Sequence, residues 1–254
     1  MDRTPLGRFI SWILLDISGR GELAVISTGS KAIDSLLGGG IRGGMITDVY
    51  GESGSGKTQL CFTASSNCVK DGGKVVFLDT AGTFRPERVV EIASTHEVLD
   101  SITFVRALNT IDQANAVQKI REIDPQLVIV DTLTGLFSAE YSGPARHLAV
   151  MKHLHDLAVC AIDSGSATLV TNMVRSVPAE DLDRPGPIES RPAVAFEQRE
   201  YLGSSVSIYS HMKLKLEIVD AERSIFRATL VQPPGKEPAL FTVSSTGITD
   251  VSGP

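Results

Sequence analysis

A glycine-rich segment has the residue types needed to hold phosphate: Gly51, Glu52, Ser53, Gly54, Ser55, Gly56, Lys57 and Thr58. It matches the pattern GxxxxGK followed by Ser or Thr, and it lies between a predicted strand and a predicted helix, as the pattern requires. Glycine lets the backbone turn tightly, so that successive N–H groups and the helix N-terminus point at one anion. Lys57 would reach the β- and γ-phosphates, and the Thr58 hydroxyl would ligate Mg²⁺. The segment therefore predicts a nucleoside triphosphate site.

A second candidate for the metal site is the carboxylate that ends the apolar run Leu127–Asp131. At the carboxyl end of a strand beside the phosphate segment, Asp131 would hold Mg²⁺, often through water. Four apolar residues and an acid are a weak signal alone, because any buried strand can end in this way. Together with the glycine-rich segment they favour a magnesium role for Asp131.

The elements that must position these residues follow an α/β pattern. From Ile26 onward, apolar runs alternate with amphipathic stretches, which is typical of βαβ units and a mainly parallel sheet. We predict strands at 45–50, 75–79, 102–105, 127–131 and 167–171, and helices at 58–70, 86–95, 112–122 and 146–163. Three further strands at 213–219, 225–231 and 240–243 indicate a β-rich C-terminal part of the same sheet. Between the predicted strands at 167–171 and 213–219, residues 174–201 contain four prolines and predict a long loop.

Composition limits the partners. The chain has 254 residues and a formal charge of −6, so that any contact with DNA needs a local basic patch. The three cysteines have no metal-ligand spacing and favour a reducing compartment, which we take to be the cytoplasm. The apolar run 9–17 is too short to cross a bilayer, which needs about 20 apolar residues, so we expect no membrane partner.

Beyond these motifs the chain resembles the RecA/RadA recombinase family, in particular the archaeal RadA and RadB proteins and their eukaryotic relatives. The matching stretches are 27–31 (STGSK), 36–41 (LLGGGI), 49–60 (VYGESGSGKTQL), 83–88 (TFRPER), 129–134 (IVDTLT) and 152–155 (KHLH). The resemblance implies a RecA-type ATPase core with a mainly parallel twisted sheet, flanking helices and antiparallel C-terminal strands. It implies ATP and Mg²⁺ as cofactors. We expect an N-terminal extension over 1–25 and a core domain over 26–250.

The resemblance also implies roles for two residues near the nucleotide. Arg88 matches the family arginine whose flat guanidinium stacks on the adenine ring; the alternative is a solvated charge on a helix face. Gln59 follows the glycine-rich segment as it does in the family, and would touch the nucleotide.

Three departures from the family pattern concern hydrolysis. Ala81 stands where the family has the glutamate that acts as general base, and a methyl group accepts no proton. Met173 replaces the glutamine that senses the γ-phosphate, and residues 231–233 (VQP) replace an Asp-Ser-Pro that caps the neighbour's ATP. These changes predict ATP binding with weak or absent hydrolysis. Glu52 and Glu140 are candidates for a substitute base.

Two further features favour a short, RadB-like paralog that works with a RadA-type recombinase or another paralog. RadA proteins carry a helical DNA-binding domain ahead of the core, whereas the sequence begins almost at the core. Its first 25 residues also show no clear Phe-x-x-Ala polymerisation segment. Phe9 and Trp12, three positions apart, would dock on a partner or cover the chain's own sheet. The oligomeric state stays open.

The resemblance places two DNA-facing loops at 142–147 and 174–201. The candidate phosphate contacts are Arg146, Arg175, Arg184, Arg191 and Arg199. From Arg175 to Glu200, however, four arginines face six acids, so the second segment has no basic excess. Modest binding of single-stranded DNA and a merely solvated loop are therefore both open.

Three functions remain as hypotheses. The first is a recombinase paralog that binds ATP and assists recombination and repair, with weak hydrolysis. The second is an active DNA-dependent ATPase that uses an unrecognised base. The third is a KaiC-like regulatory protein that senses nucleotide without touching DNA.

Overall fold

A computed structural model describes residues 23–178 and 196–251 of the chain. The strands are β1 (Val25–Ile26), β2 (Ile41–Arg42), β3 (Ile46–Gly51), β4 (Val75–Asp79), β5 (Ile102–Arg106), β6 (Leu127–Asp131), β7 (Ala167–Pro178), β8 (Phe196–Glu200), β9 (Met212–Asp220), β10 (Ile225–Gln232), β11 (Ala239–Ser244) and β12 (Gly247–Asp250). The α-helices are α1 (Lys31–Leu37), α2 (Lys57–Lys70), α3 (Pro86–Ala93), α4 (Thr110–Ile123), α5 (Gly135–Glu140), α6 (Gly143–Ser164) and α7 (Gly203–Ser207). A 3₁₀ helix spans His96–Ser101.

One large sheet organises the described chain. Its order is β12-β11-β10-β9-β3-β7-β6-β4-β5, with β8 attached to β7. The pairs from β9 through β5 are parallel, whereas β9 to β12 pair antiparallel. The predicted fold class is confirmed: a mainly parallel sheet with helices on its faces and antiparallel strands at the C-terminal side.

The central strands are buried because helices cover both faces of the sheet. In β4, Val75 and Phe77 point to the apolar core beneath α2 and α3, while Val76 and Leu78 join the core beneath α4 and α6. This alternation follows the period of two in a strand. Strands buried on both faces appear in the sequence as continuous apolar runs, which is why β4 and β6 were predicted with their observed bounds.

The prediction of a loop over 174–201 is wrong at both ends. Strand β7 continues to Pro178, and β8 pairs with it antiparallel in the register Val174↔Glu200 to Pro178↔Phe196. The described side chains of this ribbon are exposed or half-buried, so no apolar alternation signals the strands, and backbone pairing alone defines them. Residues 179–195 lie outside the described ranges.

The prediction of a loop over 142–147 is also wrong, because α6 begins at Gly143. Pro144 lies in the first turn of the helix, where a backbone N–H has no intrahelical partner and proline is tolerated. Gly143 and Pro144 therefore start a helix rather than interrupt one, and Arg146 is a helical residue.

The other predicted elements are present with shifts of up to three residues at their ends, apart from the longer β7. In the described ranges no helix combines the length and apolar character needed to cross a bilayer.

Candidate functional site

The glycine-rich segment connects β3 to α2 and requires glycine at specific positions. Gly54 and Gly56 have φ values of 81° and 94°, in the left-handed region that side chains disfavour. A Cβ atom on Gly51 would stand 2.3 Å from the carbonyl oxygen of Leu216 in the adjacent β9. The loop therefore depends on glycine both for its turn and for its close approach to β9.

Lys57 lies against this loop. Its Nζ donates to the carbonyl oxygens of Gly51 at 2.8 Å and Glu52 at 2.7 Å. Burial lowers the pKa of the Lys57 ammonium, and the charge of Asp131 opposes that shift. A phosphate in the loop would offer this partly desolvated ammonium a charged partner in place of two carbonyls.

Asp131 ends β6 at the foot of the same loop, with 1% of its surface exposed. Three threonine hydroxyls donate to its carboxylate: Thr58 at 2.8 Å and Thr83 at 3.2 Å to Oδ2, and Thr171 to Oδ1. The carboxylate thus accepts hydrogen bonds from α2, from the loop after β4 and from β7. Its contact with Thr58 brings together the two residues predicted to hold Mg²⁺.

A cavity of about 870 Å³ opens above these residues. Its walls include nearly all of the predicted phosphate residues: Gly51, Glu52, Ser53, Gly54, Gly56, Lys57, Thr58 and Gln59. Ser55 is buried beneath the loop. The volume suits a nucleotide-sized ligand, the glycine turn leaves backbone room for phosphate, and the hydroxyl and carboxylate oxygens are the hard ligands that Mg²⁺ prefers. The residues present therefore fit ATP with Mg²⁺.

Arg88 and Gln59 form one wall of the cavity. Arg88 Nε donates to Gln59 Oε1 at 2.9 Å, and its Nη atoms donate to the carbonyl oxygens of Ser244 and Ser245 and to Glu91. The Arg88 side chain is only 18% exposed. It is therefore a fixed planar group at the cavity rather than a solvated charge on α3.

Two of the three departures, Met173 and Ala81, lie in different places relative to the cavity. Met173 lines the cavity, with 37% of its surface exposed, and is the register partner of Gly51. Ala81 is exposed and is not among the lining residues. It belongs to a turn in which the Asp79 carboxylate accepts the backbone N–H groups of residues 81–84 and a bond from Arg106 Nη1.

The two candidate substitute bases, Glu52 and Glu140, lie in different places relative to the cavity. Glu52 lines the cavity. Glu140 accepts from the backbone N–H of Thr110 at 2.9 Å and from its hydroxyl at 2.5 Å, at the start of α4. Glu140 is not among the cavity residues, so Glu52 alone of the pair is placed to face a bound phosphate.

Residues 19–251 match the family model of Rad51. The chain belongs to the Rad51 family. DNA repair and recombination protein RadA of Metallosphaera sedula is 34% identical over 91% of this chain and 74% of its own length. RadA of Ignicoccus hospitalis has the same identity and coverage. A DNA repair protein RAD51 homolog of Solanum lycopersicum is 32% identical over 91% of this chain and 71% of its own length. Its Rad51-family relatives therefore link the chain to recombination and DNA repair.

Two of the arginines assigned to the DNA loops of the Rad51 family lie together on one aromatic ring. The guanidinium carbons of Arg146 and Arg175 stand 5.8 and 5.7 Å from the ring centroid of Tyr201. Arg146 also donates to the Tyr201 hydroxyl. We call these three residues the arginine–tyrosine patch. The two segments that were predicted as DNA-facing loops thus contribute to a single basic and aromatic surface, from α6 and from the end of the β7–β8 ribbon.

The remaining predicted DNA contacts are less defined. Arg199 is exposed and is the cross-strand partner of Arg175 in the β7–β8 ribbon, so it extends the same basic surface. Arg184 and Arg191 lie outside the described residues.

Sequence reasoning missed several residues of this site. Thr171 ends a predicted strand and is polar, which is a local signal that could have been used. Ser244 and Ser245 reach the cavity only through folding, because the β11–β12 turn contacts Arg88 of α3. Thr83 reaches it because the segment after β4 lies beside Asp131. Tyr201 carried no signal, since its importance comes from two arginines distant in sequence.

Proposed function

We propose that this chain is an ATP- and Mg²⁺-binding Rad51-family paralog that assists homologous recombination and DNA repair, with weak or absent ATP hydrolysis. The observation that carries the proposal is the juxtaposition of Lys57, Thr58 and Asp131 beneath one cavity. We retain a division into an extension over 1–25 and an ATPase core over 26–250. We also propose a cytoplasmic location, which three free cysteines favour.

In this proposal each residue has a separate task. The loop N–H groups and the Lys57 ammonium bind phosphate, while Thr58 and Asp131 would hold the metal. Bound Mg²⁺ supplies neutralisation of phosphate charge. Arg88 would stack its flat guanidinium on the adenine ring, and the hydrogen bond with Gln59 would hold Arg88 in that orientation.

Weak hydrolysis rests on the two residues that replace the γ-phosphate sensor and the general base of the family. Met173 offers a thioether where a hydrogen-bonding side chain would sense the γ-phosphate, and Ala81 has no group that takes a proton. ATP would then act as a ligand that shifts a conformational equilibrium by its differential affinity for two states. The energy of ATP hydrolysis would not drive the function of the protein.

The first experiment is steady-state ATPase activity with Mg²⁺, with and without single-stranded DNA, alongside ATP affinity. Binding without turnover supports the proposal. DNA-stimulated turnover would instead support an active recombinase-type ATPase, for which Glu52 on the cavity wall is the candidate base. We also expect Ala81→Glu to raise hydrolysis if only the base is missing, because a positioned general base contributes about 10²–10⁴-fold.

Contact with single-stranded DNA is proposed for the arginine–tyrosine patch. Bases stack on aromatic rings, and arginines neutralise phosphate. Arg146→Ala and Arg175→Ala should each weaken DNA binding and reduce its salt dependence. Arg223→Ala is the matched control, because Arg223 is an exposed arginine that pairs with Asp220 on the β9–β10 turn. Tight ATP binding with no DNA effect at low salt would favour a KaiC-like nucleotide sensor.

The proposed partner is a RadA-type recombinase, as the names of the relatives suggest. Co-purification of the full chain with the RadA of the same cell, in the presence of ATP, tests this. No association with or without nucleotide would contradict a partner-dependent role.

A further inference from the structure

A cluster of three ionisable side chains is buried where β3, β8 and β9 meet. Lys213 of β9, Asp48 of β3 and Glu200 of β8 have side chains that are 3%, 0% and 10% exposed. Lys213 Nζ lies 2.5 Å from Glu200 Oε2 and 3.1 Å from Asp48 Oδ2. The Ser207 hydroxyl is a further acceptor, at 3.0 Å. One ammonium therefore stands between two carboxylates.

Glu200 links this cluster to the arginine–tyrosine patch. Its Oε1 accepts from Asn172 Nδ2 at 3.0 Å, and the same amide nitrogen donates to the backbone oxygen of Tyr201 at 2.8 Å. The Tyr201 N–H donates to the carbonyl oxygen of Met173, at the cavity wall. A Cβ atom on Gly203 would stand 2.7 Å from Glu200 Oε2, so glycine there leaves room for the carboxylate.

Asp48 connects the cluster to the phosphate loop. It lies in β3, three residues before Gly51, and is the register partner of Lys213. Among the described residues, neither Asp48 oxygen has a hydrogen-bond partner of good geometry. Lys213 is therefore closest to Glu200, while the carboxyl group of Asp48 lies slightly farther from the ammonium.

Burial and a neighbouring charge both act on the protonation of Asp48. Burial, and next the charge of Glu200, raise the pKa of Asp48 well above its ordinary value. This shift favours the protonated form of Asp48 while Glu200 lies beside the ammonium. If Glu200 moved away, the repulsion would vanish and the unpaired ammonium would favour the ionised form of Asp48.

We infer that Glu200 is a positioning residue that fastens the arginine–tyrosine patch to the strands around the phosphate loop through Lys213. Asp48 is the counter-ion that pairs with the Lys213 ammonium when Glu200 moves away from it. Exchange of one carboxylate partner for the other makes this movement of Glu200 feasible. A buried ammonium without a partner is strongly destabilising, whereas one that keeps a carboxylate is not. The role for DNA rests on the proposed function of the patch, whereas the mechanical role does not.

Hydrogen exchange of the full chain tests the mechanical role. Glu200→Gln removes the charge but keeps an acceptor for Asn172. The Tyr201 amide should then exchange about ten- to hundredfold faster, as expected from loss of a charge-assisted hydrogen bond. The backbone amides of residues 212–216 in β9 should exchange at the wild-type rate. The matched control is Glu217→Gln, which removes an exposed partner of Lys215 from β9 itself. Equal exchange at Tyr201 in both variants would overturn the inference.

A double variant tests whether Asp48 can serve as the counter-ion of Lys213. Asp48→Asn and Glu200→Gln should each lower the unfolding midpoint only slightly, because each leaves Lys213 one carboxylate. Together they leave it none, so the midpoint should fall by more than the sum of the single shifts. Additive shifts would refute the role of Asp48.

DNA binding separates this inference from the proposed function. If the wild-type chain binds no single-stranded DNA, the function of the patch fails, while exchange at Tyr201 still decides the role of Glu200. If it binds, Glu200→Gln should weaken that binding severalfold, with ATP affinity in the absence of DNA unchanged. Faster exchange at Tyr201 with unaltered DNA affinity would overturn the link to the patch.

Discussion

Replacing Thr171 by valine removes one hydrogen bond to Asp131 and leaves the shape of the core intact. Thr171 is 0% exposed and its hydroxyl donates to Asp131 Oδ1, in a carboxylate that is itself 1% exposed. A hydrogen bond to a charged group contributes about 1.5–3 kcal/mol, and water does not reach this site to replace it. Valine has nearly the same volume, so no cavity cost is added. We expect the free energy of unfolding to fall by about 2 kcal/mol.

Thermal unfolding of the nucleotide-free chain measures this effect. For a domain of this size about 2 kcal/mol corresponds to a midpoint lower by roughly 4–8 °C. Thr83→Val is the matched control: its hydroxyl donates to the same carboxylate at 3.2 Å, but Thr83 is exposed and water can take its place. The control should lower the midpoint by no more than about 2 °C.

A second arm uses Mg²⁺ with a non-hydrolysed ATP analogue. A divalent cation beside Asp131 compensates the carboxylate for the donor it lost, so the gap between Thr171→Val and wild type should narrow. Equal midpoints for the two threonine variants without nucleotide would refute the view that Asp131 is a buried, donor-dependent carboxylate. A gap that Mg²⁺ with nucleotide leaves unchanged would refute its metal role.

Three further predictions concern other residues of the same site and core. Lys57→Ala should weaken binding of a fluorescent ATP analogue by at least about thirtyfold, since a charge-assisted phosphate contact is lost; retained affinity would refute the phosphate assignment. Arg88→Lys should also weaken that binding, because an ammonium cannot reproduce the planar fork that meets Gln59 and the β11–β12 turn, and calorimetry would show it. Burial lowers the pKa of His153 to about 4 from 6.5, so stability is complete above pH 6.5 and falls by up to about 3 kcal/mol as the pH drops to 4. His153→Gln should flatten that fall in urea titrations across pH, and an unchanged slope would contradict a neutral buried histidine.

Local patterns were enough to predict the centre of the fold. The runs that became β4 and β6 are short, apolar and bounded by turn residues, and their bounds agree with the structure. The glycine-rich segment was equally recognisable, because the residue types that its turn requires follow one another in the sequence. The segment 142–147 was misassigned because glycine and proline also start helices, and the β7–β8 ribbon was missed because its exposed faces carry no apolar period.

What the sequence determined by itself is therefore the phosphate loop, the strand that ends in Asp131 and the parallel core around them. These depend on backbone conformation and on burial, which nearby residue types dictate. Only the tertiary structure decided that Arg146 and Arg175 meet on Tyr201 and that Lys213 stands between Asp48 and Glu200. Such contacts join residues 13 to 165 positions apart, and they arise because strand order and register bring distant side chains to one place. No local periodicity encodes that order.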